Sequence, residues 1–213
     1  MELGFPGMAT TLTPQALILH SDQPLFALAS AVIGGGFSHT RWIINRHVSK
    51  DYSHPQPGID LQTFAASQGI NEPFVGLMTA VYLHQARAVS LEEGDLSVSV
   101  IATAGVSNST APGLSPPAIL TPGTINFIVL VDGQLTPAAM VSAVITATET
   151  KTQLLLERGL RTPEGYPATG TSTDAVVVAC TQRGDSLAYA GPATRVGWLI
   201  GRSARQALQE ALG

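Results

Sequence analysis

The chain has 213 residues, 45% hydrophobic and only 12% charged, with 11 Lys and Arg against 15 Asp and Glu for a formal charge of −4. A charged share about half the usual one argues against disorder, and the lack of any basic run argues against a nucleic-acid footprint. The single cysteine, Cys180, rules out an internal disulfide, and no apolar stretch approaches the roughly 20 residues of a membrane helix. Met1 to Gly7 lacks the basic start and apolar core of a secretory signal, so one domain over 1–213 in the cytoplasm is expected, with residues 1–12 loose.

Gln15 to His20 reads as a strand through Ala16-Leu17-Ile18-Leu19, Ser21 to Pro24 as a turn, and Leu25 to Ile33 as a second strand ending at Gly34-Gly35-Gly36. The two strands are expected to form a hairpin. Arg41 to Val48 is a further strand, and Tyr52 to Gly58, with two prolines, a loop. Ile59 to Gln68 suits a helix with Asp60 near its start and Gly69 as its stop. Phe74 to Leu83 fits strand or helix equally. Glu92 to Asp95 marks a surface turn before a strand over Leu96 to Ala102.

Ser107 to Pro122, rich in Ser, Thr, Pro and Gly, is a mobile connection or a loop over a substrate. Thr124 to Val131 is a buried strand closed by Asp132-Gly133. Thr136-Pro137 then opens the longest helix, with Thr as N-cap and Pro at the first position, and Gly159 closes it. Ala175 to Cys180 is a central strand. Thr194 to Leu212 is an amphipathic helix with Val196, Ile200, Ala204, Ala207 and Ala211 on its apolar face. Strands and helices in this order, without strict βαβ alternation, predict an α+β fold: a mixed sheet layered with helices, for which αββα layering is one form.

Four glycine-bearing polar motifs abut the strands: Ile33 to Gly36, Thr103-Ala-Gly105 with Asn108 beyond, Gly123 to Asn126, and Thr169 to Asp174. Glycine lets a ligand approach the backbone, and Thr, Asn and Asp supply donors and acceptors. Any one motif is more simply a turn; four in a chain so poor in charge point to a site. Asp174, at the mouth of a buried strand, is either a turn cap or a group held for proton transfer. The neighbouring threonines either cradle an oxyanion or amide, or satisfy local backbone groups.

The long helix carries a polar belt, Thr146 to Thr152. Helical spacing puts Ile145, Glu149, Thr152 and Leu156 on one stripe, which turns Glu149 partly toward packed surface. Lys151 lies on another side and cannot pair with Glu149. A catalytic carboxylate with an organising charge is favoured over a solvated face. The histidines His20, His39, His47, His54 and His84 form no metal-binding spacing. Cys180 reads as an inert core thiol. No dinucleotide or Walker pattern occurs, so no nucleotide cofactor is indicated.

In order, Ala31-Val-Ile-Gly-Gly-Gly36, Ile44-Asn-Arg-His-Val48 with Tyr52, Val75 to Ala80, Thr103 to Asn108, Gly123 to Asn126, Ala147 to Thr152 and Ala168 to Asp174 resemble the adenosylcobinamide amidohydrolase family, CbiZ. The likeness spans roughly residues 25 to 180; Ser109 and Thr150 stand where the family tends to have Ala. It implies a hydrolase of corrinoid salvage, which cleaves the amide joining the aminopropanol arm to the corrin and yields adenosylcobyric acid and aminopropanol. The resemblance also implies a cytoplasmic protein whose partner is the corrinoid, with cobalt arriving in the substrate; the residues themselves show no motif for a cofactor or a protein metal site, and a homo-oligomer is compatible with them.

Amide hydrolysis needs a nucleophile, a hold on the oxyanion and a proton for the leaving nitrogen. Asp174 or Glu149 is expected to activate water, Lys151 to orient the acid, and Thr171 and Thr173 to hold the oxyanion. Gly35, Gly36, Asn45, His47, Thr103, Asn108, Thr124, Asn126 and Thr169 are expected to bind substrate. A threonine nucleophile is the alternative within the site. The competing functions are a non-catalytic corrinoid binder, and an amidohydrolase or acyltransferase with another substrate and a processed threonine.

Overall fold

The computed structural model describes residues 3–5, 7–117 and 123–213. In chain order it contains β1 (Met8–Leu12), β2 (Ala16–Ala29), β3 (Gly36–His47), α1 (Pro57–Ser67), β4 (Phe74–Thr79), β5 (Arg87–Glu93), β6 (Leu96–Ala104) and β7 (Ser109–Thr110). There follow β8 (Ile125–Asp132), β9 (Gln134–Leu135), α2 (Pro137–Glu157), β10 (Gly170–Thr171), β11 (Ala175–Cys180), β12 (Ser186–Leu187) and α3 (Arg195–Leu212). The main sheet runs β4-β3-β2-β11-β8-β6-β5, with β1 beside β2. The β3–β4 and β8–β11 pairs are parallel, and α1 and α2 make the crossovers that parallel neighbours require. The other pairs of this sheet are antiparallel.

The sheet curls so that its two halves face each other. Leu17, Leu25, Ile43, Val75 and Leu77 from β2–β4 share one core with Ile101, Ile128, Leu130, Val177 and Ala179 from β6, β8 and β11. On the outside, α2 and α3 cover β6, β8 and β11 through Met140, Ala147, Leu155, Leu199 and Ile200. On the far side α1 covers β2–β4 through Leu61 and Ala65 against Ile18, Ile44 and Phe74. The layers are thus helix, strand, strand, helix, the αββα form of the expected α+β fold.

Local chemistry sets the helix ends. Thr136 Oγ1 accepts from Ala139 N–H (3.1 Å) and Thr194 Oγ1 from Gly197 N–H (3.1 Å), each satisfying a first-turn donor. Gly69 and Gly159 follow α1 and α2 with φ of +77° and +66°, a conformation that costs glycine nothing. Among the described residues no helix is long and apolar enough to cross a membrane.

Several expectations change. Residues 16–20 and 25–29 are not two arms of a hairpin but one strand, β2, paired along its length with β3. Leu17, Leu19, Leu25 and Ala27 all face the same core, so the chain must stay extended to bury them. Ser21 to Pro24 only shifts the register between His20 and Leu25, an irregularity that tolerates the missing N–H of proline. The start is not loose throughout: Phe5 is buried, and β1 pairs Met8 with Ser21 through Leu12 with Leu17, covering an otherwise bare strand edge. Phe74 to Leu83 resolves as strand β4 and a short turn. The edge strand β5 has no counterpart among the strands expected from the sequence. Within Ser107 to Pro122, Ser109 and Thr110 pair with β10; residues 118–122 lie outside the described residues.

Candidate active site

Strands β3, β4 and β6 end, and β8 and β11 begin, at one end of the curled sheet. There the inward positions turn from aliphatic to polar. Asn45 Nδ2 donates to Thr103 Oγ1 (3.1 Å), and Asn126 Nδ2 donates to Asn45 Oδ1 (3.0 Å) and to Met78 O (2.9 Å). Asn45, Thr103 and Asn126 are each 1% exposed. Buried amides are costly unless bonded, so this network ties four strands together only while every member is present. Thr124 Oγ1 lies 2.9 Å from Asn126 Oδ1 and 2.8 Å from Thr173 O, and its single proton serves one of them at a time.

Behind Thr124 sits a second cluster. Asp174 Oδ1 accepts from Ile125 N–H (2.9 Å) and from the Thr171 hydroxyl; Oδ2 accepts from Thr171 N–H (3.0 Å) and from the Lys151 ammonium. The Lys151 and Asp174 side chains are only 10% and 13% exposed. The ion pair joins α2 to the starts of β8 and β11. Gly170 makes room for it, since a Cβ there would run into Asp174 Oδ2 and stand 2.8 Å from Lys151 Nζ. Thr173 Oγ1 (2.9 Å) and Thr171 Oγ1 (3.0 Å) both reach Gly123 O. Gly123 in turn packs against Asn108, whose Nδ2 donates to Ser172 Oγ (2.6 Å).

Between the two halves of the sheet opens a cavity of about 370 Å³, lined by Tyr52, Met78, Thr79, Thr124, Asn126 and Thr173 among others. Val32, Val48, Leu77 and Ala175 give it an apolar side. On the β3 side, Tyr52 OH donates to Asp60 Oδ2 (2.9 Å), and Arg46 pairs with the same oxygen (2.8 Å) while donating to Asp60 O (3.0 Å). Burial first, then the bond to Asp60 and its charge, push the Tyr52 phenol up to about 12. Burial works to raise the Asp60 carboxyl, but hydrogen bonds from Arg46 and Tyr52 and the Arg46 charge outweigh it and leave it below its ordinary value.

Of the expected site residues, Thr124, Asn126 and Thr173 line this cavity. Asn45 accepts from Asn126 behind the wall and is itself held by Thr103. Thr171, Asp174 and Lys151 form the supporting cluster: Thr173 and Ala175 face the cavity, while the Asp174 carboxylate between them turns toward α2. Glu149 departs from expectation. It is exposed, and its stripe, with Ile145 51% and Leu156 45% exposed, is the solvent face of α2. The side that packs carries Met140, Ala143, Ala147, Lys151 and Leu154, so the charge that enters the fold is Lys151, whose partner is Asp174.

Gly35 and Gly36 are not on the cavity wall: Gly36 has φ +81° and pairs with Ala29, so these glycines turn β2 into β3. His47 Nδ1 meets Val81 O (3.0 Å) and its ring stacks on Tyr82. Thr169 donates its N–H to Thr110 O (3.0 Å), linking the 169–174 segment to β7. The sequence did not single out Ser30 or Thr79, and gave Tyr52 no role; the one available signal for Tyr52 was its place in the family-like series.

A family model described as adenosylcobinamide amidohydrolase, CbiZ, matches residues 7–213. The adenosylcobinamide amidohydrolase of Methanosarcina mazei is 33% identical over 192 residues, covering 86% of this chain and 86% of that protein. The protein of the same name from Halobacterium salinarum is 36% identical over 122 residues, 54% of this chain and 50% of that one. Among solved structures, the PH0078 protein from Pyrococcus horikoshii OT3 superimposes with a TM-score of 0.51 at 10% identity, over 97% of this chain and 83% of that one, a likeness of fold alone.

Proposed function

Because the chain belongs to the adenosylcobinamide amidohydrolase family, we propose that it hydrolyses the amide between the corrin ring and the aminopropanol arm of adenosylcobinamide. Water oxygen joins the carbonyl carbon, the C–N bond breaks, and the amine leaves with a proton, giving adenosylcobyric acid and aminopropanol. The cobalt is part of the substrate, and the reaction belongs in the cytoplasm, where the corrinoid is the ligand.

The observation that carries this reading is the cavity of about 370 Å³ with hydroxyls and an amide on one wall. Its size is near the lower end for small-molecule sites. It accommodates the arm and the scissile amide and leaves the macrocycle outside the mouth. Thr124 and Thr173 are each held through carbonyl acceptors, so either hydroxyl can swing its proton to a substrate carbonyl oxygen as negative charge develops there. Asp174 acts by positioning: its oxygens already accept from Ile125, Thr171 and Lys151 and hold the Thr171–Thr173 wall in place.

The test is direct. Purified protein mixed with adenosylcobinamide is expected to release adenosylcobyric acid and aminopropanol in equal amounts, followed by chromatography of the corrinoid and derivatisation of the amine. Corrinoid that binds but is recovered intact would mean a carrier rather than an enzyme.

A further inference from the structure

The cavity has a second polar wall that the amide chemistry does not use. It is Tyr52, in the segment between β3 and α1, on the opposite half of the sheet from Thr124 and Thr173. A phenol has one proton and two lone pairs. The Tyr52 proton is given to Asp60 Oδ2 at 2.9 Å. Asp60 cannot turn away, because Arg46 grips both its carboxylate (2.8 Å) and its main-chain oxygen (3.0 Å). Arg46 is itself fixed, with its guanidinium 4.8 Å from the centre of the Phe64 ring. The chain Arg46–Asp60–Tyr52 therefore leaves the phenolic oxygen one thing to offer the cavity, an acceptor. With the phenol pushed up to about 12, that acceptor is neutral throughout the physiological range.

Resting on the function proposed above, we infer that Tyr52 is a specificity residue: its oxygen accepts a hydrogen bond from the hydroxyl of the substrate's aminopropanol arm. The arm offers two donors, the amide N–H and the hydroxyl. The amide lies at the bond to be cut and belongs against the Thr124 and Thr173 wall. The hydroxyl lies two carbons beyond the nitrogen and needs an acceptor on the facing wall, which Tyr52 supplies. Asp60 and Arg46 are positioning residues that keep Tyr52 from presenting its proton instead.

The experiment compares adenosylcobinamide with an analogue whose arm is n-propylamine, lacking only the hydroxyl, in wild type and in Tyr52→Phe. Wild type is expected to prefer the hydroxyl arm by roughly 2- to 10-fold in kcat/KM, the range of one neutral hydrogen bond. Tyr52→Phe keeps the ring, loses the acceptor, and is expected to bring that preference close to one by slowing the hydroxyl arm alone. A variant that keeps the wild-type preference, or slows both substrates alike as a purely structural role would, overturns the assignment. Wild type that hydrolyses both arms equally overturns it and leaves the amidohydrolase reading standing. Wild type that releases amine from neither removes both.

Discussion

Replacing Asp174 with alanine is expected to destabilise the protein by about 3–5 kcal/mol, the range for stripping one partner from a buried ion pair. The substitution leaves the Lys151 ammonium, only 10% exposed, without its counter-charge. It also removes the acceptor of the Ile125 and Thr171 N–H groups. At this chain length such a loss corresponds to a fall in melting temperature of very roughly 10 °C, and a urea titration gives the free energy. The companion variant Lys151→Met with Asp174→Ala is expected to recover part of the loss, since it removes the uncompensated charge along with the carboxylate. Hydrolysis should fall as well, because the Thr171–Thr173 wall loses its anchor. Glu149→Gln, on the solvent face of α2, should match the parent in both measurements. A loss below about 1 kcal/mol for Asp174→Ala would mean that the Lys151 pair does not hold this end of the fold together.

Asn126→Ala has the second large effect, mostly on activity. Asn126 is 1% exposed and bonds in both directions: it donates to Asn45 Oδ1 and Met78 O, and Thr124 reaches its Oδ1. Truncation strands those acceptors in the interior, at about 1–3 kcal/mol for each buried group left unpaired. A net loss of about 2–4 kcal/mol is expected, with water entering the vacated space offsetting some of the cost. Asn126 also lines the cavity, and it fixes Thr124 at the same wall. Loss of that positioning is expected to lower kcat/KM by about 100-fold or more, since displacements near 1 Å have that consequence. Steady-state release of aminopropanol, measured well below the variant's melting temperature, checks it; a rate within a few-fold of the parent would remove Asn126 from the site.

What could be read from the sequence divides along the range of the forces involved. The bounds of α2, α3 and β11 were legible because their signals are local: Thr136-Pro137 and Thr194 at helix starts, Gly159 after a helix, and Ala175-Val-Val-Val-Ala-Cys180 as one apolar run. The β2 error has the opposite origin. Ser-Asp-Gln-Pro has the chemistry of a turn, but burying Leu17, Leu19, Leu25 and Ala27 on one face outweighs it. Glu149 lies outside the packed side because a helical stripe says which residues share a side, not which side packs. With Ala143, Ala147, Lys151 and Leu154 available on the other side, the core took the small residues and the lysine stem.

The candidate site is legible in the sequence only in pieces. Asn45, Thr103 and Asn126 could be picked out individually as polar residues in or beside apolar strands. Their meeting depends on the sheet curling until β3 lies against β6 and β8, with β2 and β11 between them in the sheet order. Nothing in the local sequence encodes that. Tyr52 was hidden for a related reason: it sits in a proline-containing connection and faces the cavity only because Asp60 and Arg46, from α1 and β3, hold it there.

A crystal structure of the protein soaked with adenosylcobinamide bears most directly on the convergence of these two walls. The aminopropanol arm, or the amine left after cleavage, should occupy the space between Tyr52 and Thr173, with the macrocycle outside the mouth. Corrinoid bound at a different surface, with that space holding only water, would contradict it.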